Sequence, residues 1–264
     1  MSTRVTGSVQ MTAQCRELVN QRLNIPLDAS IALESLTLGL GLGEHLQLDI
    51  TPLHQLVADQ AVQATIGVLA PEPFAAARDI LAADGTPGTE TSELAAAAQA
   101  ELADAFQFSR DAMAHTARDI TAEVFAAAGR DLSYTVSLCQ GTTATGVEMR
   151  RGHEVMLLRV HDSGRIESDH AGLLDATCGD RQRELEHAAA QRGIVITGRQ
   201  QDEHGSAKGG QLIRSAAAHR GMPLAQATVA ETEQHGSAAK KRLFSAQDKA
   251  SSQRAHVRRR GTVA

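Results

Sequence analysis

One short turn constrains the fold of this chain more than any other feature. Two stretches in which polar and apolar residues alternate, Glu154 to Val160 and the run from Arg165, are joined through Asp162-Ser163-Gly164. A glycine at the third loop position supplies the left-handed conformation that closes a three-residue hairpin loop, pairing Val160 with Ile166 and Leu158 with Ser168. A two-residue loop is the alternative, and the choice matters because a slip of one residue exchanges the two faces of the sheet. In the three-residue register Met156, Leu158, Val160 and Ile166 share one face, while Leu157, Arg159 and His161 point the other way. The apolar face needs a cover. The helix predicted over Gly179 to Arg192 supplies one, with Leu185, Ala188 and Ala189 on its narrow apolar side and Gly193 as its stop.

Upstream, Tyr134, Val136 and Leu138 alternate with Thr and Ser, and Gly141 and Gly146 bracket a threonine-rich turn ahead of Val147 to Arg150. Together with the hairpin this predicts a meander of three or four strands, so residues 131–200 read as a small α+β module. Residues 89–130 read as one long amphipathic segment. From Glu93 to Ala128 there is no Gly or Pro, and Leu94, Ala98, Leu102, Phe106, Met113, Ala117, Ile120 and Val124 recur at spacings of three, four and seven. This is either a single helix or two helices broken near Ser109, ended by Gly129. Unbroken, it spans about 54 Å, as a bundle helix or as a contact between copies of the chain.

Residues 1–88 read as a mainly helical region that opens on a short strand carrying Val5 and Val9. Met11, Cys15, Leu18, Val19 and Leu23 mark a helix ended by Pro26, Thr51-Pro52 signals another, and Phe74, Ala77, Ile80 and Leu81 a third. Residues 28–48 fit a helix or a strand equally, and Thr86-Pro87-Gly88-Thr89 is the candidate linker. Residues 201–264 read as a low-order region. Within it His204-Gly205-Ser206-Ala207-Lys208 is echoed by His235-Gly236-Ser237-Ala238-Ala239-Lys240, two copies where a solenoid needs at least three. The expected class is therefore α+β: a mainly helical N-terminal region, a small antiparallel β-meander with a covering helix, and a disordered basic tail.

Composition narrows the function classes. There is no Trp, one Tyr and five Phe, so the core must be built from Ala, Leu, Val and Ile. Three cysteines, Cys15, Cys139 and Cys178, form no CxxC or Cys/His cluster, and no hydrophobic leader precedes the first polar residues, which points to a reducing cytoplasm. No apolar run approaches the roughly 20 residues needed to span a bilayer. Net charge is -5, yet the last 25 residues hold eight basic groups and one acidic, so an acidic body carries a basic tail.

Candidate sites are few. Gly39-Leu40-Gly41-Leu42-Gly43 lacks the lysine and the spacing of a phosphate loop and reads as a flexible turn. His161-Asp162 and Asp169-His170 suggest a metal cluster as text, but the preferred register puts the two histidines on opposite faces, so no metal site is expected. Cys178 stands at a helix N-terminus, where the dipole lowers a thiol pKa, and reads as either a buried structural thiol or a reactive one. His187 lies about 13 Å further along the helix axis, too far to serve as its base. No catalytic, cofactor-binding or paired-carboxylate signature is present. Lys240, Lys241, Arg242, Arg258, Arg259 and Arg260 are candidate interaction residues, as a sequence-blind nucleic-acid contact or as a solubilising tail that folds back on the acidic half.

The run Asp162-x-Gly164-x-Ile166, Ala171-Gly172 and Cys178 ahead of a helix resembles a small uncharacterised bacterial domain family built as strand, Asp-Gly turn, strand, glycine, cysteine and helix. The resemblance covers residues 153–197. The family favours a second glycine before the cysteine, where this chain has Asp175 and Ala176. Members are encoded beside ATPase and protease modules of bacterial conflict systems, which implies an adaptor or accessory role in a defence system with an ATPase or protease subunit as protein partner. The expected function is thus a non-catalytic, cytoplasmic adaptor acting by protein-protein interaction, without cofactor or membrane, with self-association through 93–128 as an added expectation. The alternatives are a nucleic-acid-associated protein using the basic tail and a Cys-dependent enzyme built on Cys178.

Overall fold

No Gly or Pro interrupts residues 91–128, and the helix this permits, α5 (Thr91–Asp131, 41 residues), is the axis of the molecule. At 1.5 Å per residue it extends about 60 Å. The structure, a computed structural model, describes residues 2–26, 50–84, 90–172, 178–204, 210–219 and 221–230. Ser109 does not break α5. Its buried hydroxyl donates to the Ala105 carbonyl at 2.8 Å, so the polar group is satisfied within the helix. Nor does Gly129 end it: the helix runs on to Asp131, and Ser133, with φ 65°, reverses the chain. Gly129 serves packing instead, because a β-carbon there would stand 2.6 Å from the Met149 sulfur.

Two cores are threaded on this one helix. The first is a bundle of α2 (Ile50–Ala58), α3 (Gln60–Leu69) and α4 (Pro71–Ala82) around the N-terminal half of α5. Leu53, Val62, Ile66, Phe74 and Leu81 pack there on Ala98, Leu102 and Phe106. The Asp59 carboxylate caps α3 by accepting the Val62 N–H at 3.0 Å, and Pro71 opens α4, where its missing N–H costs nothing.

The second core lies on a six-stranded antiparallel sheet with strand order β2-β3-β4-β5-β1-β6. Its strands are β1 (Ser2–Met11), β2 (Thr135–Gln140), β3 (Ala144–Arg151), β4 (Glu154–His161), β5 (Arg165–Ala171) and β6 (Ile194–His204). The predicted meander is therefore β2 to β5, and β1 inserts between β5 and β6. The hairpin adopts the three-residue register, with Val160 opposite Ile166, Leu158 opposite Ser168 and Gly164 at φ 73°.

The apolar face is covered by more than the one helix expected. α6 (Cys178–Ala190) contributes Leu185, Ala188 and Ala189, but the C-terminal half of α5 adds Phe125 and Ala126, and α1 (Ala13–Leu23) adds Cys15. α1 closes on Asn24 in the left-handed conformation, two residues before Pro26.

The opposite face corrects the reading most. Residues taken as part of a low-order region from 201 onward include the end of β6 and two helices, α7 (Gln211–Ala218) and α8 (224–230), which lie across β3 to β5. β6 escapes detection because its outer half, Arg199 to His204, is polar, as edge strands are when charge blunts their pairing with other chains. The two helices are too short for a period to show. The linker at 86–89, the glycine run at 39–43, residues 28–48 and the second copy of the repeat lie outside the described residues.

Candidate functional site

Alternation along β3, β4 and β5 puts Glu148, Leu157, Arg159, His161, Arg165, Glu167 and Asp169 on the face opposite the main core. A strand pattern of this kind assigns such residues to solvent. Here most are buried: Glu167 is 3% exposed and Asp169 0%. Glu167 accepts from Arg159 Nε at 3.1 Å and pairs with Arg165 at 2.7 Å. Burial pushes the Glu167 carboxyl up, but the two guanidiniums outweigh it and hold the group below its ordinary value. His161, beside them, is held below its ordinary value by burial, and its Nε2 is buried without a hydrogen-bond partner.

The remaining charges on this face hold the helices above it. Asp169 Oδ1 accepts the Gly210 N–H at 2.9 Å and Oδ2 accepts the Ile213 N–H at 3.2 Å, at the N-terminus of α7. Glu148 accepts the Ala225 N–H at 3.3 Å, at the N-terminus of α8, and Arg159 Nη1 donates to the Thr228 carbonyl at 3.4 Å. Carboxylates meet exposed N–H groups and a cation meets a carbonyl, the match that the unpaired ends of a helix favour.

His170 points the other way, into the main core. Gln182 Nε2 donates to Glu186 Oε1 at 2.7 Å, which turns Gln182 Oε1 toward Ser168 Oγ at 3.0 Å and His170 Nε2 at 2.8 Å. Since an amide oxygen only accepts, His170 carries its proton on Nε2. Its burial holds the ring below its ordinary pKa, against the opposing pull of Gln182, Asp169 and Glu154. His161 and His170 thus sit on opposite faces, and among the described residues no group of three or more His, Cys, Asp and Glu side chains is arranged to hold a metal ion. Asp162, weighed in sequence as a turn residue and as part of a metal cluster, accepts from Arg118 of α5 at 2.9 Å and lies 3.2 Å from His115, with burial pushing its carboxyl up.

Cys178 is the first residue of α6, as expected, while its side chain lies outside the described residues. Lys240, Lys241, Arg242, Arg258, Arg259 and Arg260 also lie outside them. Much of the stripe read along 93–128 packs within the molecule: Ala98, Leu102 and Phe106 in the bundle, and Ile120 and Val124 buried or partly buried nearer the sheet. Between the two cores, on the outward side of α5, Phe108 is 61% exposed. Asp104 and Asp111, four residues before it and three after, flank it on the same helix face and are also exposed. Sequence periodicity missed this residue because it falls off the apolar stripe.

Comparison with known proteins returned no matching family model, no similar curated protein and no similar solved structure. No helix among the described residues is long and apolar enough to cross a membrane.

Proposed function

We propose that this protein is a non-catalytic adaptor that binds a protein partner through the outward face of α5 around Phe108, as an accessory subunit of a bacterial defence system of the kind the hairpin and helix resemble. One observation carries the reading. In a chain with only five Phe and no Trp, Phe74, Phe106 and Phe125 are buried in cores, while Phe108 is left in water. Exposed aromatic side chains are the commonest anchors of protein interfaces, because they contribute large apolar contact for little lost conformational freedom. The flanking Asp104 and Asp111 favour a partner surface with an apolar pocket rimmed by Lys or Arg.

The polar groups support the same reading by their employment. Asp169, Glu148, Arg159, His170 and Arg118 each bond to a neighbouring element of the fold. The test is affinity purification of the full chain from its native cell, in parallel with Phe108→Ala. A stoichiometric ATPase or protease subunit accompanies the wild type, and its retention falls at least tenfold in the variant, as expected for an interface anchor worth about 2 kcal/mol. Recovery of the wild type alone under gentle conditions overturns the adaptor reading. Co-purification of nucleic acid instead of protein favours the basic tail as the working part.

A further inference from the structure

The two faces of the sheet are covered in different ways. On one, Phe125, Met149, Met156, Leu158, Val160 and Ile166 form a continuous apolar seal. On the other, the apolar contact is smaller, Leu157 with Leu212, Ile213, Ala216 and Ala227 flanked by the partly buried Val155, Ala171 and Leu224, and bonds to charged sheet residues supply the rest of the attachment. We propose that α7 and α8 are a strap that opens as a unit while the sheet beneath stays folded, alternating the charged face of β3 to β5 between covered and uncovered states. The proposal stands independently of what Phe108 binds.

Three features argue for reversible attachment. First, the anchors are bonds between charged sheet residues and helix ends: Asp169 to the start of α7, Glu148 to the start of α8, and Arg159 to the Thr228 carbonyl. Charges of this kind are costly to bury and return to favourable hydration when released, so opening leaves no stranded group on the sheet. The Arg159–Glu167–Arg165 pairing lies wholly within the sheet and survives the loss of the strap. Second, among the described residues opening bares a face of β3 to β5 on which Leu157 is the one large apolar side chain fully buried, with Val155 and Ala171 partly buried beside it, so most of the uncovered face is polar and compatible with water. An apolar sheet face could not be exposed at similar cost. Third, the fit depends on an absence. A β-carbon at Gly146 would collide with the carbonyl oxygen of Ala225, closer than real contacts allow, so α8 rests directly on the backbone of β3. Glycine weakens a strand interior, and its presence in the middle of β3 serves the strap rather than the sheet.

Gly146→Ala therefore separates the two. An alanine there favours the strand yet forces α8 away, so strap and sheet respond with opposite sign. The experiment is hydrogen exchange of the full chain at neutral pH, read by mass spectrometry on segments from 211–218, 224–230 and β3–β4, across low concentrations of denaturant. In the wild type, strap amides exchange through a local opening at least about tenfold more often than β3–β4 amides, with little denaturant dependence. Gly146→Ala speeds strap exchange about tenfold or more and leaves β3–β4 protection unchanged or higher. Asp169→Asn, which removes a charge from two bonds to the helix end, does the same from the other end. A shared protection and a shared denaturant dependence for strap and sheet in the wild type overturn the proposal, as does Gly146→Ala accelerating both alike. The wild-type measurement decides even if a variant fails to fold.

Discussion

Arg118 Nη1 donates to Asp162 Oδ1 across 2.9 Å, tying the middle of α5 to the turn that reverses the chain between β4 and β5. The same nitrogen donates to the Thr142 carbonyl at 3.1 Å, and Asp119 beside it accepts from Thr145 at 2.7 Å, so the start of β3 and the turn after β4 are pinned to one helical turn. Arg118 is buried, while Asp162 keeps partial access to water. Arg118→Met preserves much of the volume but leaves the partly buried Asp162 carboxylate with His115 alone. The expected loss is about 3 kcal/mol, since removing one partner of a buried pair strands the other. Urea unfolding of the variant checks it, and a change below about 1 kcal/mol means the contact is idle.

Gly129 and Met149 make the second prediction. A β-branched side chain at 129 would be driven into the Met149 thioether, so Gly129→Val costs about 1–3 kcal/mol despite the better helix propensity of valine. Combining it with Met149→Ala makes room, and the double variant loses less stability than the two single losses added together. Strict additivity in denaturant midpoints would show that the helix is not pressed on the sheet at this point.

The thiols should differ sharply. Cys15 is 1% exposed, hydrogen-bonds to the Arg192 carbonyl at 3.1 Å, and has its thiol pKa pushed up by burial. Cys139, on the outermost strand, is half-buried. In the native protein at neutral pH, Cys139 therefore reacts with a thiol reagent while Cys15 does so only as the chain unfolds. Mass spectrometry of labelled peptides checks this and reports Cys178 in the same run; labelling of Cys178 well ahead of Cys139 would favour the thiol-enzyme alternative.

His170 sets a pH dependence whose sign follows from its burial. The folded state holds the neutral ring, so its pKa lies below the ordinary value of 6.5, and the unfolded chain takes up a proton first as pH falls. Stability is therefore fully present above about pH 6.5 and declines as pH drops below it toward the folded pKa. His161 shifts the same way and adds to the slope. His170→Gln, which keeps a donor toward Gln182, reduces the loss in urea midpoint between pH 7 and pH 5.5 without abolishing it. An unchanged slope would mean that His170 does not titrate differently on folding.

How far the residues alone could be read depends on the distance over which each interaction acts. The Asp162-Ser163-Gly164 turn and the pairing of Val160 with Ile166 were legible because a hairpin is closed by its own neighbours. The run without Gly or Pro likewise announced a long helix, leaving open a break near Ser109, and the 3.6-residue period announced α6, α2 and α4, whereas the Asp59 cap that separates α3 from α2 was not read. What carries most of the candidate site was not legible. The cap of α7 is Asp169, 41 residues before Gly210, and that of α8 is Glu148, 77 residues before Ala225. On a strand those acids look like solvated alternation, and only the folded chain makes them the seats of two short helices.

Local geometry therefore settled, from sequence alone, the meander and its covering helix, the long helical run, where the hairpin turns and that the class is α+β. Tertiary contact decided the rest: that Gly129 is packing rather than a stop, that β1 joins the sheet beside β5, that the charged face is roofed, and that Phe108 is left outside both cores. The physical reason is one of range. Turn and helix preferences act between residues a few positions apart, whereas burial and the pairing of helix ends depend on segments that meet only after the chain has folded.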